Sequence, residues 1–407
     1  MSDHAKYSPS QLKRIIACPG SVKLSEGYTE EESPYAAEGT MLHEIMAATL
    51  QKLQKQPSPF LVPVFLEEAI NEAPVKLEKE QIRTCEAALD AFLAVFTELK
   101  EECDLVKIDI EERVSLEGYH VPDCSGTADV ILTCFGRESF RVREIHIIDW
   151  KFGQGVYVDV ENNPQCQAYL LGACAKWVSS PSAEVLKAHI IQPRLDNYNS
   201  HQYTYQELMN WCDTVLKPAI KLAENGTVFF AGEEQCQWCK ASGNCKAEYE
   251  LARDTAIKAF ALYTQPDVSD EDKKWILENT AFLTKYVDSV KKEVVARLLM
   301  GGEFPGYKLV NGRSSRDWES EETAREWLVS RSEQPGSGFG FEDIFETKLV
   351  TPAKAEKLSK GMKKDPEFVA LYNTREGAPT LVKAEDKRPE YMAPGATEAF
   401  AEFITND

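Results

Sequence analysis

The chain has 407 residues, 43% hydrophobic and 28% charged, which is enough for one large domain or two to three smaller ones. Its 46 Lys and Arg against 66 Asp and Glu give a net charge of −20. That argues against a polycation coating nucleic acid, though not against a nuclease with a local basic surface. No stretch approaches the roughly eighteen apolar residues of a membrane-spanning helix, and residues 1–10 lack the apolar centre of a secretory signal. Eleven cysteines without an export signal point to reduced thiols or a metal site before disulfides.

In chain order, Ser10 suits the N-cap of a helix from Gln11 to about Ala17, stopped by Cys18-Pro19-Gly20. A polar acidic loop, Ser25 to Pro34, precedes a second helix from Gly39 to Leu53. Residues 77–101 repeat Ile82, Cys85, Leu89, Phe92 and Phe96 at helical spacing. The period then changes: Val106, Ile108 and Ile110 alternate with Lys107, Asp109 and Glu111, and Val114 keeps the parity of a half-buried strand. Strands follow over Thr127 to Cys134 and Phe140 to Asp149, with Phe135 to Ser139 as the hairpin connection. Asn163-Pro164 opens a helix to about Trp177. A strand, Val185 to Gln192, and a helix, Tyr205 to Asn225, complete a mixed α/β domain with a small central sheet. Beyond a cysteine cluster, Ser269 and Asp272 form a capping box for a helix reaching toward Met300. It is either an ordinary core helix or a long arm. Residues 331–340 read as a linker, and short charged elements follow.

Chemistry concentrates around Asp149-Trp150-Lys151, at the end of an apolar strand. Residues two apart share a strand face, so Asp149 and Lys151 project together while Trp150 points away. An acid and a lysine so placed can hold a divalent cation and orient a water beside it. Asp129, twenty residues earlier on the neighbouring strand, can converge on the same cation, which would relieve the repulsion between the carboxylates. Asp123 is a rival, placed before the strand. Gln165 and Tyr169 stand four apart on one helix face, where they could contact a phosphate or steer Lys151. His43 shares a helix face with Met46, Ala47 and Leu50. Alone it would more often be a packed core residue; beside two aspartates and a lysine it becomes a reasonable metal ligand.

Gly39-x-x-x-His43, Gly126-x-x-Asp129, Asp149-x-Lys151 and Gln165-x-x-x-Tyr169, in that order, resemble the RecB-like branch of the PD-(D/E)XK nuclease superfamily. The resemblance covers roughly residues 8–250. It implies that His43, Asp129, Asp149 and the Trp150 carbonyl bind Mg²⁺ or Mn²⁺, that Lys151 positions or activates the attacking water, and that Gln165 and Tyr169 assist DNA binding. Cys236-x-x-Cys239-x5-Cys245, with Cys18 far upstream, resembles the iron–sulfur members of that branch, such as the AddB subunit and the CRISPR-adaptation nucleases. Four thiolates can hold a [4Fe–4S] cluster that ties the ends of the domain together. Spacing alone does not separate it from a structural Zn²⁺ site; the resemblance favours iron–sulfur. The other seven cysteines read as packed or surface thiols.

The implied architecture is a restriction-endonuclease-like core over 1–250, a helical extension over 251–340 with a long helix, and a charged, partly flexible region over 341–407. The C-terminal part, with Gly306-Tyr307-Lys308-Leu309 and Asp386-Lys387-Arg388-Pro389, is similar to nucleases encoded by bacteriophages and prophages, implying a setting in the bacterial host cytoplasm. No Walker A pattern is present, so any motor would be borrowed. The expected activity is a metal-dependent DNA exonuclease of phage replication or recombination; the expected partners are DNA and a phage recombination or single-strand-binding protein. The rival readings are a non-cutting DNA-binding or recombination scaffold and an electron-transfer iron–sulfur protein. Candidates for gripping DNA are Arg141, Arg143 and Lys151, and a C-terminal run of Lys354, Lys357, Lys360, Lys363 and Lys364, which could equally be a solvated helix face.

Overall fold

In this computed structural model the described residues are 5–28, 34–136, 141–153, 155–176, 183–263, 268–334, 338–344, 352–355, 365–383 and 390–391. The chain divides into two compact units, Met1–Tyr286 and Val287–Asp407. The boundary falls inside the span read from the sequence as a helical extension.

The first unit begins with helices α1 (Leu12–Ala17), α2 (Ser21–Leu24), α3 (Pro34–Lys55), α4 (Val62–Asn71) and α5 (Lys79–Glu102). Strands β1 (Leu105–Ser115), β2 (Ser125–Phe135) and β3 (Val142–Trp150) follow, then helix α6 (Pro164–Ala175), β4 (Val185–Gln192) and β5 (Asn197–Tyr203). The five strands form one sheet in the order β1-β2-β3-β4-β5. All neighbours are antiparallel except β3 and β4, which run parallel. A parallel pair needs a crossover connection, and α6 supplies it. Helices α7 (Tyr205–Trp211) and α8 (Lys217–Asn225) flank a π-helical turn at Cys212–Leu216 and complete the predicted 205–225 helix. Then come α9 (Glu233–Gln237), α10 (Lys246–Tyr263) and α11 (Asp270–Leu299), within which the division between the units falls. The Ser269–Asp272 capping box that opens α11 is formed on both sides.

Two apolar layers cover the sheet. Leu12, Ile15, Ile131, Ile145, Ile147, Leu170 and Leu216 form the layer with α1, α6 and α8. Leu42, Met46, Leu50, Phe92, Leu132, Ile148 and Trp150 form the other, with α3, α4 and α5. Helix α6 lies very close to the sheet: a Cβ on Gly172 would come within 2.6 Å of Val114 Cβ, so only glycine fits.

Besides a register shift between β2 and β3 at Cys134/Phe135, the sheet departs from simple alternation within the β1–β2 pair. The register pairs Ile110 with Val130 and Glu112 with Ala128, passing over Glu111 and Asp129. Glu111 takes a left-handed backbone, φ 49°. Ile108 and Ile110 pack with the α3–α5 layer, whereas Val114, of the same parity, packs with α6. The expectation that Val114 continues one face of β1 is corrected: the irregularity at Glu111 moves the strand to the other core.

The second unit holds β6 (Tyr307–Trp318), α12 (Glu321–Ser332) and β7 (Tyr372–Lys383). Strands β6 and β7 form an antiparallel ribbon. Ala324, Leu328, Phe339, Ile344 and Phe368 make its small core. Helices α11 and α12 keep the described C-terminal part more helix than strand, as expected, and the ribbon is an element the sequence reading did not contain. Its apolar residues Leu309 and Val310 are adjacent instead of alternating, so β6 carries no period-two signal.

Candidate metal centre and cysteine centre

Strand β3 ends at Trp150, and the residues around that end separate by face. Trp150 is 2% exposed and packs toward Phe92, with ring centroids 6.3 Å apart. Asp149 and Lys151 lie on the opposite side, where Lys151 Nζ is 2.7 Å from Asp149 Oδ2. The Gln165 amide joins both: its Nε2 donates to Asp149 Oδ1 at 2.8 Å, and its Oε1 accepts from Lys151 Nζ at 3.2 Å. Gln165 sits there because Asn163 caps α6. The Asn163 side chain accepts from the Gln165 and Cys166 backbone N–H groups, and Pro164 takes the first helical position.

Burial raises the Asp149 carboxyl above its ordinary range, against the pull of Lys151. Burial alone would lower the Lys151 ammonium; the Asp149 carboxylate more than offsets that and holds it high. Tyr169 is 5% exposed, packed in the α6 layer, with its hydroxyl pushed up mainly by burial. The hydroxyl is hydrogen-bonded to the Gln165 side chain.

Asp129 reaches the same region from β2. Its Oδ2 accepts the Trp150 backbone N–H at 2.7 Å, tying it to the strand end that carries Asp149 and Lys151. Its Oδ1 is 3.4 Å from His43 Nδ1 on α3. Burial opposes a charge on His43, but the hydrogen bond to Asp129 together with the Asp129 and Asp149 charges outweighs it and raises the imidazole. The Phe152 ring meets the His43 ring edge-on at 5.1 Å. A Cβ at Gly126 would strike Pro9 Cδ at 2.6 Å, whereas one at Gly39 would meet nothing within 4 Å. The first glycine is a packing requirement. The second borders open space one turn from His43.

Glu111 was missed by sequence reasoning. One ligand atom each from His43, Glu111 and Asp129 lie within 4.8 Å of one another, a spacing that could hold a metal ion. Burial raises the Glu111 carboxyl, and the neighbouring Asp129 charge raises it further. A cation would relieve that repulsion. The rival Asp123 is exposed in the loop before β2, with φ 53°, and does not join the group.

The cysteine centre is assembled by a different contact. Gly20 N–H donates to Val228 O at 2.7 Å, and Phe230 N–H donates to Cys18 Sγ at 3.4 Å. This short pairing brings the end of α1 beside residues 228–232. Cys18, Cys236, Cys239 and Cys245 then line one small cavity. Gly232 N–H donates to Cys236 Sγ at 3.4 Å, and Ser25 Oγ lies 3.9 Å from Cys239 Sγ. Burial raises the Cys18 thiol and pushes Cys236 up to about 12. The 236–245 loop is closed by Glu248, 2% exposed, which accepts from Ser242 Oγ at 2.7 Å and Gly243 N at 2.8 Å. Sequence reasoning missed Glu248 too.

A family described as a protein of unknown function, DUF2800, matches residues 4–389. The chain belongs to that family. The DUF2800 match spans the strand-end cluster, all four cysteines and most of the second unit.

The predicted DNA-gripping residues fare unevenly in this DUF2800 chain. Arg143 pairs with Glu144 and Glu184 at the start of β3. It lies six residues from Asp149, about 20 Å at roughly 3.3 Å per strand residue. Arg141, just before β3, is exposed. Lys357, Lys360, Lys363, Lys364, the Lys354 side chain and the segment 386–389 lie outside the described residues, as does most of the predicted β2–β3 hairpin connection. Among the described residues no helix is long and apolar enough to cross a membrane.

Proposed function

We propose that the chain is a divalent-metal-dependent deoxyribonuclease, an exonuclease of the RecB-like PD-(D/E)XK kind acting in phage replication or recombination. The observation that carries the reading is the convergence of His43, Asp129, Asp149 and Lys151 from α3, β2 and the end of β3, with Gln165 bridging the acid and the lysine. The donor set is oxygen-rich with one imidazole, which suits Mg²⁺ or Mn²⁺. His43, Asp129 and Asp149, with the Trp150 carbonyl and Glu111, are the residues that would hold the ion. A bound cation there would supply charge for the phosphodiester oxygens and lower the pKa of a water.

The chain's own groups divide the remaining work. Lys151, held charged by Asp149, hydrogen-bonds the attacking water and orients it in line with the scissile bond. Gln165 fixes the lysine's position by accepting from its Nζ. Tyr169 supports the helix that carries Gln165.

The cysteine centre fits a [4Fe–4S] cluster with a structural role. Four thiols share one cavity, and backbone N–H groups already aim at two of the sulfurs. Burial keeps Cys18 and Cys236 protonated at neutral pH, so thiolate formation requires the positive charge of a metal. Zn²⁺ is the competing occupant.

The test uses anaerobically purified protein with end-labelled single- and double-stranded DNA, with and without Mn²⁺. Expected are Mn²⁺-dependent shortening of labelled strands by the wild type and its loss in Asp149→Asn, with DNA binding retained. No cleavage by folded, metal-replete wild type on either substrate would overturn the reading in favour of a DNA-binding scaffold.

A further inference from the structure

Arg194 follows β4, whose end lies beside the end of β3. Its side chain is only 6% exposed. The guanidinium has five N–H donors, and five hydrogen bonds account for them. Nε and Nη2 donate to Glu80 Oε1 and Oε2 at 2.9 and 2.8 Å. Nη2 and Nη1 donate to Glu38 Oε1 and Oε2 at 2.7 and 3.4 Å. Nη1 also donates to the Phe152 carbonyl at 2.8 Å.

These partners come from three segments. Glu38 is on α3, five residues before His43. Glu80 is in the first turn of α5, and Gln81 beside it donates to Glu38 Oε1 at 2.7 Å. Phe152 directly follows Lys151, and its ring packs edge-on against His43. One planar cation therefore fixes the helix bearing His43 to the chain bearing Lys151. The forked bidentate geometry restricts orientation as well as distance, which a lysine would not do.

We propose that Arg194 is a positioning residue for the metal centre, setting where His43 sits relative to Asp129 through Glu38 and Phe152. The inference rests on the metal centre proposed above. Arg194 touches neither the cation nor the substrate.

The experiment measures Mn²⁺ affinity by titration calorimetry, with electron paramagnetic resonance of bound Mn²⁺, on the full chain. The proteins are wild type, Arg194→Gln, His43→Ala and the double variant, with Asp149→Asn locating the ion. Expected are a drop of about tenfold in affinity for Arg194→Gln, and less than twofold further loss when it is added to His43→Ala, because its effect passes through the histidine. Arg194→Lys should recover only part of the affinity. Unchanged affinity in Arg194→Gln, or the same tenfold drop in the His43→Ala background, overturns the positioning role while leaving the metal centre standing. Wild type that binds no Mn²⁺ sensitive to Asp149→Asn overturns both. Should Arg194→Gln fail to fold, Glu80→Gln, which removes one arm of the clamp, is read by the same affinity cycle.

Discussion

Replacing Lys151 by methionine isolates the cost of the buried carboxylate beside it. The Asp149 side chain is 3% exposed and its partner ammonium, 2.7 Å away, is 28% exposed. Removing one member of a fully buried pair costs about 3–5 kcal/mol. The lysine's partial exposure places this case at the lower end, about 3 kcal/mol. The Gln165 amide remains as a donor but carries no charge. In the metal-free variant the carboxyl escapes by binding a proton. A penalty of that size raises the variant's folded carboxyl further above its unfolded value, in the direction burial already gives it. The sign follows: the unfolded carboxyl ionises first as pH rises, so the folded variant keeps the extra proton until pH passes its raised folded pKa. Its penalty is absent below the unfolded pKa, grows as pH rises through the folded one and is flat above. The assay is urea unfolding of EDTA-treated protein from pH 4.5 to 8. Lys151→Met should lose about 3 kcal/mol relative to wild type at pH 7.5, with Asp149→Asn/Lys151→Met recovering most of it. A single variant within about 0.5 kcal/mol of wild type at pH 7.5 would show that the carboxylate is not buried against the lysine as described.

Three other outcomes follow. His189, pushed down to about 3 by burial and then by the His146 and Lys187 charges, stays neutral when folded. Its Nε2 meets His146 Nδ1 at 3.0 Å, and His146 Nε2 meets the buried Glu144 at 3.2 Å. The unfolded imidazole binds its proton near pH 6.5, so stability is full above that pH and falls toward pH 3, by up to about 1.4 kcal/mol per pH unit; His189→Gln should flatten this slope in urea titrations, and an unchanged slope would refute it. Anaerobic wild type should carry about four irons per chain and broad visible absorbance, lost in Cys236→Ser; stoichiometric zinc without iron would convert the centre to a zinc staple. Glu111→Gln should weaken Mn²⁺ binding about tenfold, as loss of an anionic ligand requires, and unchanged affinity would remove Glu111 from the centre.

What could be read from the sequence was what depends on near neighbours. The shared face of Asp149 and Lys151 follows from the two-residue strand period, and the structure has both side chains on it with Trp150 turned away. Asn163-Pro164 gave the start of α6 because a cap is a local hydrogen bond. Strand β5 left no comparable mark: in Asn-Tyr-Asn-Ser-His-Gln-Tyr only its ends, Asn197 and Tyr203, are buried, so an edge strand of polar residues reads as loop. The β6–β7 ribbon joins segments more than fifty residues apart, and no local pattern announces that pairing.

The candidate site divides the same way, and for a physical reason. Asp149, Lys151 and Gln165 lie at a strand end and a helix start, and Asp129 and His43 lie within β2 and α3, where the local period fixes the direction of a side chain. The residues that hold those elements together gain their meaning only from folding. Glu111 reads as one more exposed strand position; only its left-handed backbone, where the β1–β2 pairing passes over it and Asp129, brings its carboxylate near His43. Arg194 is an ordinary arginine after a proline until α3, α5 and the chain beyond Lys151 converge on it. Glu248 is one acid among many on α10 until the loop of Cys239 and Cys245 folds over it. Each is a charged group with little exposure or a raised pKa, and burying such a group is costly unless partners meet it. Those partners lie on other elements, so the stabilisation belongs to the tertiary fold, and the sequence near each residue carries no trace of it.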